Sequence, residues 1–511
     1  MELLIITLYA VSLAVVVVLL WFHKPGAGDK SKHEKRLPPG PWTLPIIGSI
    51  HHVVRGLGHR TMMELSRRHG PLMFLRLGEV PTLVVSSAEA AELVMKTHDL
   101  AFCSRPTTSV TIDIVGCKGK GLGFAPYGDR LIQMKKIVVV ELLSAAQVKR
   151  IEFIRADVVG RLIRSVAAAG GVVNVSDEVK ALAPDLVAKA MFGDSCAEKS
   201  DFIRRYDEVS ELVSGFFLVD LFPSSRLVRW LSVGERRLLR SYGGIQRIIA
   251  TIIESRKAAS ASSGATSCSL DHEDLLGVLL RLQKEGSLGF PLTSEIIGAV
   301  MFDIFGGATT TLGSTLEWAM SELIKKPETM KKAQQEVRSV LGQSRRGVIT
   351  NTDLVGLSYL QMVIKEVLRL HPPNPLLVPR ESREDCEVMG YHIPKGTKVL
   401  VNAFSISRDA RYWKDPEEFC PERFENSDVD YKGTDFEFTP FGAGRRRCPA
   451  IMFATSTLEI ALANLLYHFD WALPDGTTPE MVDMSEQYGM GVTKKLDMHL
   501  RAIPYVHSTV A

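Results

Sequence analysis

One segment constrains this 511-residue chain more than any other, the run from Phe438 to Ala450. It contains Phe441, Gly442, Gly444, Arg445, Arg446, Arg447, Cys448 and Pro449. Two closely spaced glycines let a backbone turn tightly and approach another group. Three consecutive arginines place positive charge beside a thiol, which favours thiolate and offers partners for carboxylates. A helical pattern starts at 451, so Cys448 lies near a helix N-terminus whose dipole further favours the anion. The other six cysteines (Cys103, Cys117, Cys196, Cys268, Cys386 and Cys420) show no C-x-x-C pairing. They read as structural thiols in a reducing compartment.

The rest of the pattern says what body holds this loop. Helical periodicity covers 88–97, 145–167, 202–218, 235–255, 293–325, 328–340 and 359–370. Short strand patterns appear at 73–77, 82–86, 387–389, 392–393 and 398–402. The Ala/Ser-rich stretch 258–269 reads as an exposed loop between helices. No repeat or composition break divides the body. The expectation is a mainly α chain with small β-sheets (α+β) in one large domain. Hydrophobic residues make up 46%, which excludes a disordered chain. The net charge of +3 gives no electrostatic case for nucleic acid.

The N-terminus is different. Residues 3–22 are nearly all apolar, about the 20 residues that span a bilayer core. Trp21 stands at its end, and Lys24, Lys30, Lys32, Lys35 and Arg36 follow. The positive-inside rule then places the body in the cytosol. The run is long and lacks a small-x-small cleavage site, which favours a retained anchor over a signal peptide. Pro38, Pro39 and Pro41 stiffen the linker. The expected division is 1–23 transmembrane anchor, 24–45 basic and Pro-rich linker, and 46–511 catalytic domain.

A thiolate fixed in a glycine-rich loop suits the axial ligation of haem iron. The segment resembles the haem-thiolate signature of the cytochrome P-450 superfamily, Phe-x-x-Gly-x-Arg-x-Cys-x-Gly. Phe441, Gly444, Arg446 and Cys448 match it, and Ala450 replaces the final glycine. Other motifs follow in the family's order. Glu366 and Arg369 resemble its Glu-x-x-Arg helix, and Arg423 its partner loop; the resemblance implies a structural triad. Residues 302–311 resemble the oxygen-binding helix, placing Gly307, Ala308, Thr310 and Thr311 at the catalytic positions. Thr311 holds the alcohol position, whereas Thr310 replaces the usual acid; water, Thr310 or Asp303, two turns away, stays open as its substitute. Lys135 stands where a propionate-binding arginine is usual, with Leu131 in place of tryptophan. Arg380 matches another propionate position, and Arg105 lies in a similar motif. The proline-rich linker and the 365–373 and 421–424 segments look most like microsomal plant enzymes of the A-type group.

The resemblance implies the cytochrome P-450 fold, haem b as cofactor, Cys448 as metal ligand, and Arg446, Phe441, Gly444, Arg380 and Lys135 as cofactor-binding residues. It implies O2 and NADPH-derived electrons from an NADPH-cytochrome reductase carrying FAD and FMN. It also implies a single pass through the endoplasmic reticulum membrane, with the catalytic domain facing the cytosol. Family topology implies a pocket lined by Ile112, Phe216, Phe305, Leu376, Leu377 and Met490. An apolar pocket favours a lipophilic small molecule. The first expectation is hydroxylation or oxidation of a terpenoid, a diterpenoid among these. Phenylpropanoid, alkaloid, indolic and fatty-acid substrates stay open, as does an isomerase or dehydratase needing no O2.

Overall fold

The structure, a computed structural model, describes residues 36–193, 196–213, 217–262, 273–286, 288–342, 347–489 and 491–505. The expected anchor lies outside these residues, as do Phe216, Cys268 and Met490.

A 32-residue helix, Ser294–Lys325, runs through the body. Thr293 caps it, its hydroxyl accepting from Ile296 N. At a rise of 1.5 Å per residue it is about 48 Å long. Among the described residues it is the one helix long and apolar enough to cross a membrane, yet most of it is buried inside the protein. Helices Val175–Phe192, Val233–Ser262, Ser358–Leu370 and Ile451–His468 pack around it. The approach to Val175–Phe192 is close, since a Cβ on Gly313 would lie 3.2 Å from Lys180 Cα. Edge-on rings fill the other side: Phe305 lies 4.8 Å from Phe202 and 4.7 Å from Tyr206, and Phe302 lies 5.0 Å from Tyr242.

The sheets are small, as the strand patterns imply. Leu72–Leu77 and Val80–Val85 form an antiparallel hairpin. Lys398–Val401 joins Val80–Val85 in parallel, and Arg380–Glu381 closes the other edge. A second sheet places His499–Pro504 between Val172–Asn174 and Phe469–Ala472. Two further hairpins pair Cys386–Val388 with Tyr391–Ile393, and Glu486–Tyr488 with Val492–Lys494.

Several helix limits differ from the sequence pattern. The 145–167 run breaks at Ile151 into Ala145–Arg150 and Glu152–Ala168. The 202–218 run is Lys199–Val213, and a separate turn Leu218–Leu221 follows an extended Phe217. Helix Val233–Ser262 continues into the stretch expected to be a loop, because alanine favours helix once a long helix is nucleated. The buried helix Val175–Phe192 was not expected. Pro184 lies inside it and removes one backbone donor, a cost of about 3 kcal/mol. Burial of most of its other residues offsets that cost.

Candidate active site

The Cys448 loop is built from backbone geometry. The amide of Cys448 donates to Phe441 O at 3.0 Å, closing the turn. Gly444 has φ +66, and a Cβ there would lie 2.1 Å from Met95 O. Only glycine meets both conditions. Asp99 then braces the loop from a distant part of the chain. It accepts from Arg445 N at 2.8 Å and from Arg380 Nη1 at 3.1 Å, while Arg380 Nη2 donates to Ala443 O at 2.8 Å. Phe441 packs edge-on against Tyr431. Sequence reasoning missed Asp99, because no local motif marks it.

The three arginines do not surround the thiol as expected. Arg445 turns to the Tyr127 hydroxyl at 3.1 Å, and Arg447 turns outward to Lys432 O. Arg446 points inward, donating to Cys103 O at 2.6 Å and to Ala125 O. Lys135 reaches the loop instead, donating to Arg445 O at 2.7 Å and Arg447 O at 3.2 Å. Burial pushes the Cys448 thiol up; the Ala450 amide, Lys135 and Arg447 pull the other way and do not win. The charged loop alone therefore does not account for a thiolate, whereas coordination deprotonates a thiol outright.

Cations accumulate beside this loop. Arg105 and Arg380 are buried and Arg446 and Lys135 half-buried. Arg105 donates to the carbonyls of Gly123, Val378 and Pro379. Burial, and then mutual repulsion, lowers Arg105, brings Arg446 to about 10 and brings Lys135 to about 8. Asp99 and Asp303 are the carboxylates that oppose this cluster. Four cations thus share two carboxylates, and a group bearing two more carboxylates would balance them. Haem has that charge, and Cys448 is a soft ligand for its iron. The residues present fit it.

The central helix supplies the other wall. Its glycine pair divides the work: a Cβ on Gly306 would lie 2.7 Å from the Tyr206 hydroxyl, while one on Gly307 would meet nothing within 4 Å. Gly307 faces open space in a mostly buried helix, and Thr310 and Thr311 are half-buried beside it. The Thr311 hydroxyl donates back to Gly307 O at 2.8 Å. The Thr310 methyl group faces the Gly491 turn, where a Cβ would lie 3.6 Å from it. Ala308 is buried in the core. Asp303 is held by the loop, its Oδ2 accepting from Leu122 N and Gly123 N at 2.6 and 3.0 Å.

The expected pocket residues divide. Ile112 and Leu377 are half-buried, and Leu377 Cδ1 lies 3.6 Å from a Cβ position on Gly442. Phe305 does not line open space; it is fully buried between Phe202 and Tyr206, because the helix turns that side toward the core. Leu376 packs with Met62, Met73 and Leu400 beneath the sheet. The Glu-x-x-Arg pair meets its third member. Glu366 accepts from Arg369 at 2.7 and 2.8 Å, from Arg423 Nε at 2.9 Å and from Cys420 N at 2.9 Å.

A helical body with small sheets, a cysteine loop braced by buried cations and a glycine gap in the long helix define a haem-thiolate class of protein. A Cytochrome P450 family model matches residues 38–501, and the chain belongs to that family. Haem is its cofactor, and it is an oxidoreductase of the monooxygenase kind. Similar proteins include a desmethyl-deoxy-podophyllotoxin synthase of Sinopodophyllum hexandrum, 45% identical over 98% of this chain and 97% of that one. An ent-isokaurene C2/C3-hydroxylase of Oryza sativa subsp. japonica is 45% identical over 93% and 94%. Among solved structures, a zebra fish cytochrome P450 with progesterone superposes with a TM-score of 0.75 at 25% identity, over 88% of this chain and 99% of that one. Such enzymes work with a reductase and a lipophilic substrate.

Proposed function

We propose that this chain hydroxylates a terpenoid, a polycyclic diterpene hydrocarbon first among these, with haem held by Cys448. The observation that carries the haem reading is the surplus of cations around the glycine-pinned Cys448 loop. The substrate reading rests on similarity to the ent-isokaurene hydroxylase and on the open face at Gly307. Haem, when bound, supplies oxygen activation and C–H oxidation. Cys448 Sγ would hold its iron. Arg105, Arg380, Arg446 and Lys135 would hold its carboxylates through charge-assisted hydrogen bonds. Phe441 and Gly444 shape the loop. Gly307 keeps the helix wall shallow where the small gas molecule and the substrate must fit, and Ala308 backs it from the core. Leu377 and Ile112 supply apolar contact, and the Thr311 hydroxyl moves a proton toward that space.

Thr310 cannot serve as an acid, so a water must bring the proton to Thr311. Thr311→Ala should keep NADPH consumption while product per NADPH falls at least about tenfold. Thr310→Asp should raise that ratio. Unchanged coupling in both variants, measured as product against NADPH consumed, would remove Thr311 from the relay.

The body is proposed to face the cytosol from the endoplasmic reticulum membrane, with 1–23 as anchor, 24–45 as linker and 46–511 as the catalytic domain. Exposed apolar side chains support a membrane-facing side near the linker. Trp42 and Ile46 are 64% and 55% exposed, and Trp230 and Val233 72% and 68%. The chain beside each stretch is linked through one turn: Gly78 N donates to Ile47 O, Glu79 N to Leu221 O, and Ser224 to the Glu79 carboxylate. The test is microsomes with a plant NADPH-cytochrome reductase, ent-isokaurene and labelled O2. Label in one hydroxyl group is the expected result. Product without NADPH or O2 would sink the monooxygenase reading, and a lumenal body in protease protection would sink the placement.

A further inference from the structure

The sequence offered Asp303 as a stand-in for the missing acid, and the structure gives it other work. It sits on the central helix four residues before Gly307 and seven before Thr310. That spacing puts all three on one side of the helix. One oxygen, Oδ2, accepts both the Leu122 and Gly123 amides. These amides belong to a segment that follows the helix Val110–Val115, which carries Ile112. Three consecutive residues in that segment, Cys117, Lys118 and Gly119, have positive φ of 50, 52 and 73 degrees. Such a turn is costly for the two non-glycine residues and needs outside support. Gly121 lets the backbone come close: a Cβ there would lie 2.2 Å from Asp303 Oδ2 and 3.5 Å from Ala299 O. Arg105 holds the far side through Gly123 O at 2.9 Å. Burial raises Asp303 to about 6, with the two amides and Arg105 opposing. A second tie is exposed and weaker, the Lys120–Glu295 pair at 2.5 Å.

We propose that Asp303 is a positioning residue: its carboxylate clamps the 121–123 backbone to the central helix and sets how widely this segment opens over the face carrying Gly307 and Thr310, selecting ligands by size. This rests on the reading of that face as the ligand side of a haem site. It differs from a relay role, because the carboxylate acts through the loop and not on the reacting atoms.

The test uses the full-length haem-loaded enzyme in lipid discs. Hydrogen exchange by mass spectrometry reports on the peptide covering 116–125. In Asp303→Ala this peptide should exchange about tenfold faster, with the 308–325 part of the helix unchanged. Asp303→Asn keeps a carbonyl oxygen able to accept both amides and should restore most of the protection. Azole binding, read as a haem difference spectrum, supplies the size probe. Clotrimazole should associate about tenfold faster with the alanine variant, and imidazole at an unchanged rate. Glu295→Gln should alter neither readout. If Asp303→Ala does not fold, Gly121→Ala breaks the same contact from the loop side and should give the same pair of changes. Unchanged exchange at 116–125 overturns the clamp. Faster exchange with clotrimazole unaffected, or with both azoles affected equally, overturns the selecting role. Absence of any azole spectrum in the unmodified enzyme would instead sink the haem-site reading, while the exchange result stands apart from it.

Discussion

Cys448→Ser should give a folded protein with no haem-thiolate spectrum and no product. The loop does not depend on the sulfur. Its closing bond uses the Cys448 amide, and its shape comes from Gly442, Gly444, Asp99 and Arg380. Serine is close to isosteric, so melting of the apoprotein should shift little, within the range of about 1 kcal/mol expected for a mild substitution. The chemistry should change completely. A hydroxyl is far harder to deprotonate than a thiol and is not the soft ligand that pushes electron density toward the iron. The measurements are a carbon monoxide difference spectrum of the reduced protein, haem content and turnover. The control is Cys103→Ser. Cys103 is also buried and its carbonyl accepts from Arg446, but its variant should keep the spectrum. A Cys448→Ser protein that retained spectrum and turnover would place the iron ligand elsewhere.

The parts of this site that are legible in the sequence are those that one short segment encodes. Cys448 and its glycines lie within seven residues of one another, and Glu366 and Arg369 share a helix face by spacing alone. The long helix announces itself by length and apolarity. What the sequence hides is long-range partnership. Asp99 and Arg380 are 281 positions apart and meet where the chain after each is paired, Glu381 N donating to Ser104 O and Arg383 N to Ala101 O. Asp303 reads as a spare acid until the loop amides are seen on it. Side-chain direction is also hidden. Three arginines in a row look alike, yet one turns inward and two turn away. Phe305 is a pocket residue by the family resemblance, and a helix turn places it in the core instead. The balance at the thiol needs burial as well as charge, and burial is invisible in a list of neighbours.

Glu366→Ala should be the most damaging substitution for folding. The Glu366 and Arg369 side chains are fully buried, and that of Arg423 is nearly so. Both Glu366 oxygens are used: Oε2 by Arg369 Nε, and Oε1 by Arg369 Nη2, Arg423 Nε and the Cys420 amide. Arg369 also donates to the carbonyls of Ser407, Pro416 and Glu418, and lies 5.3 Å from the Trp413 ring. Removing the carboxylate leaves two guanidinium groups facing each other without their counter-charge. Breaking a buried pair in this way costs about 3–5 kcal/mol, against a total stability of about 5–15 kcal/mol for folded domains. The variant should accumulate as aggregated or haem-free protein. Arg369→Lys should fail almost as badly, since an ammonium cannot reproduce the fork that reaches three carbonyls and a carboxylate. Glu366→Gln keeps the volume but turns an amide nitrogen toward a guanidinium, and should fall between them. Thermal unfolding with haem content separates a folding role from a catalytic one. Folding is the cause if haem content and melting temperature fall together while the surviving haem-loaded fraction turns over normally. A Glu366→Gln protein that kept its melting temperature and haem yet lost turnover would remove the triad from the scaffold and place Glu366 in the chemistry.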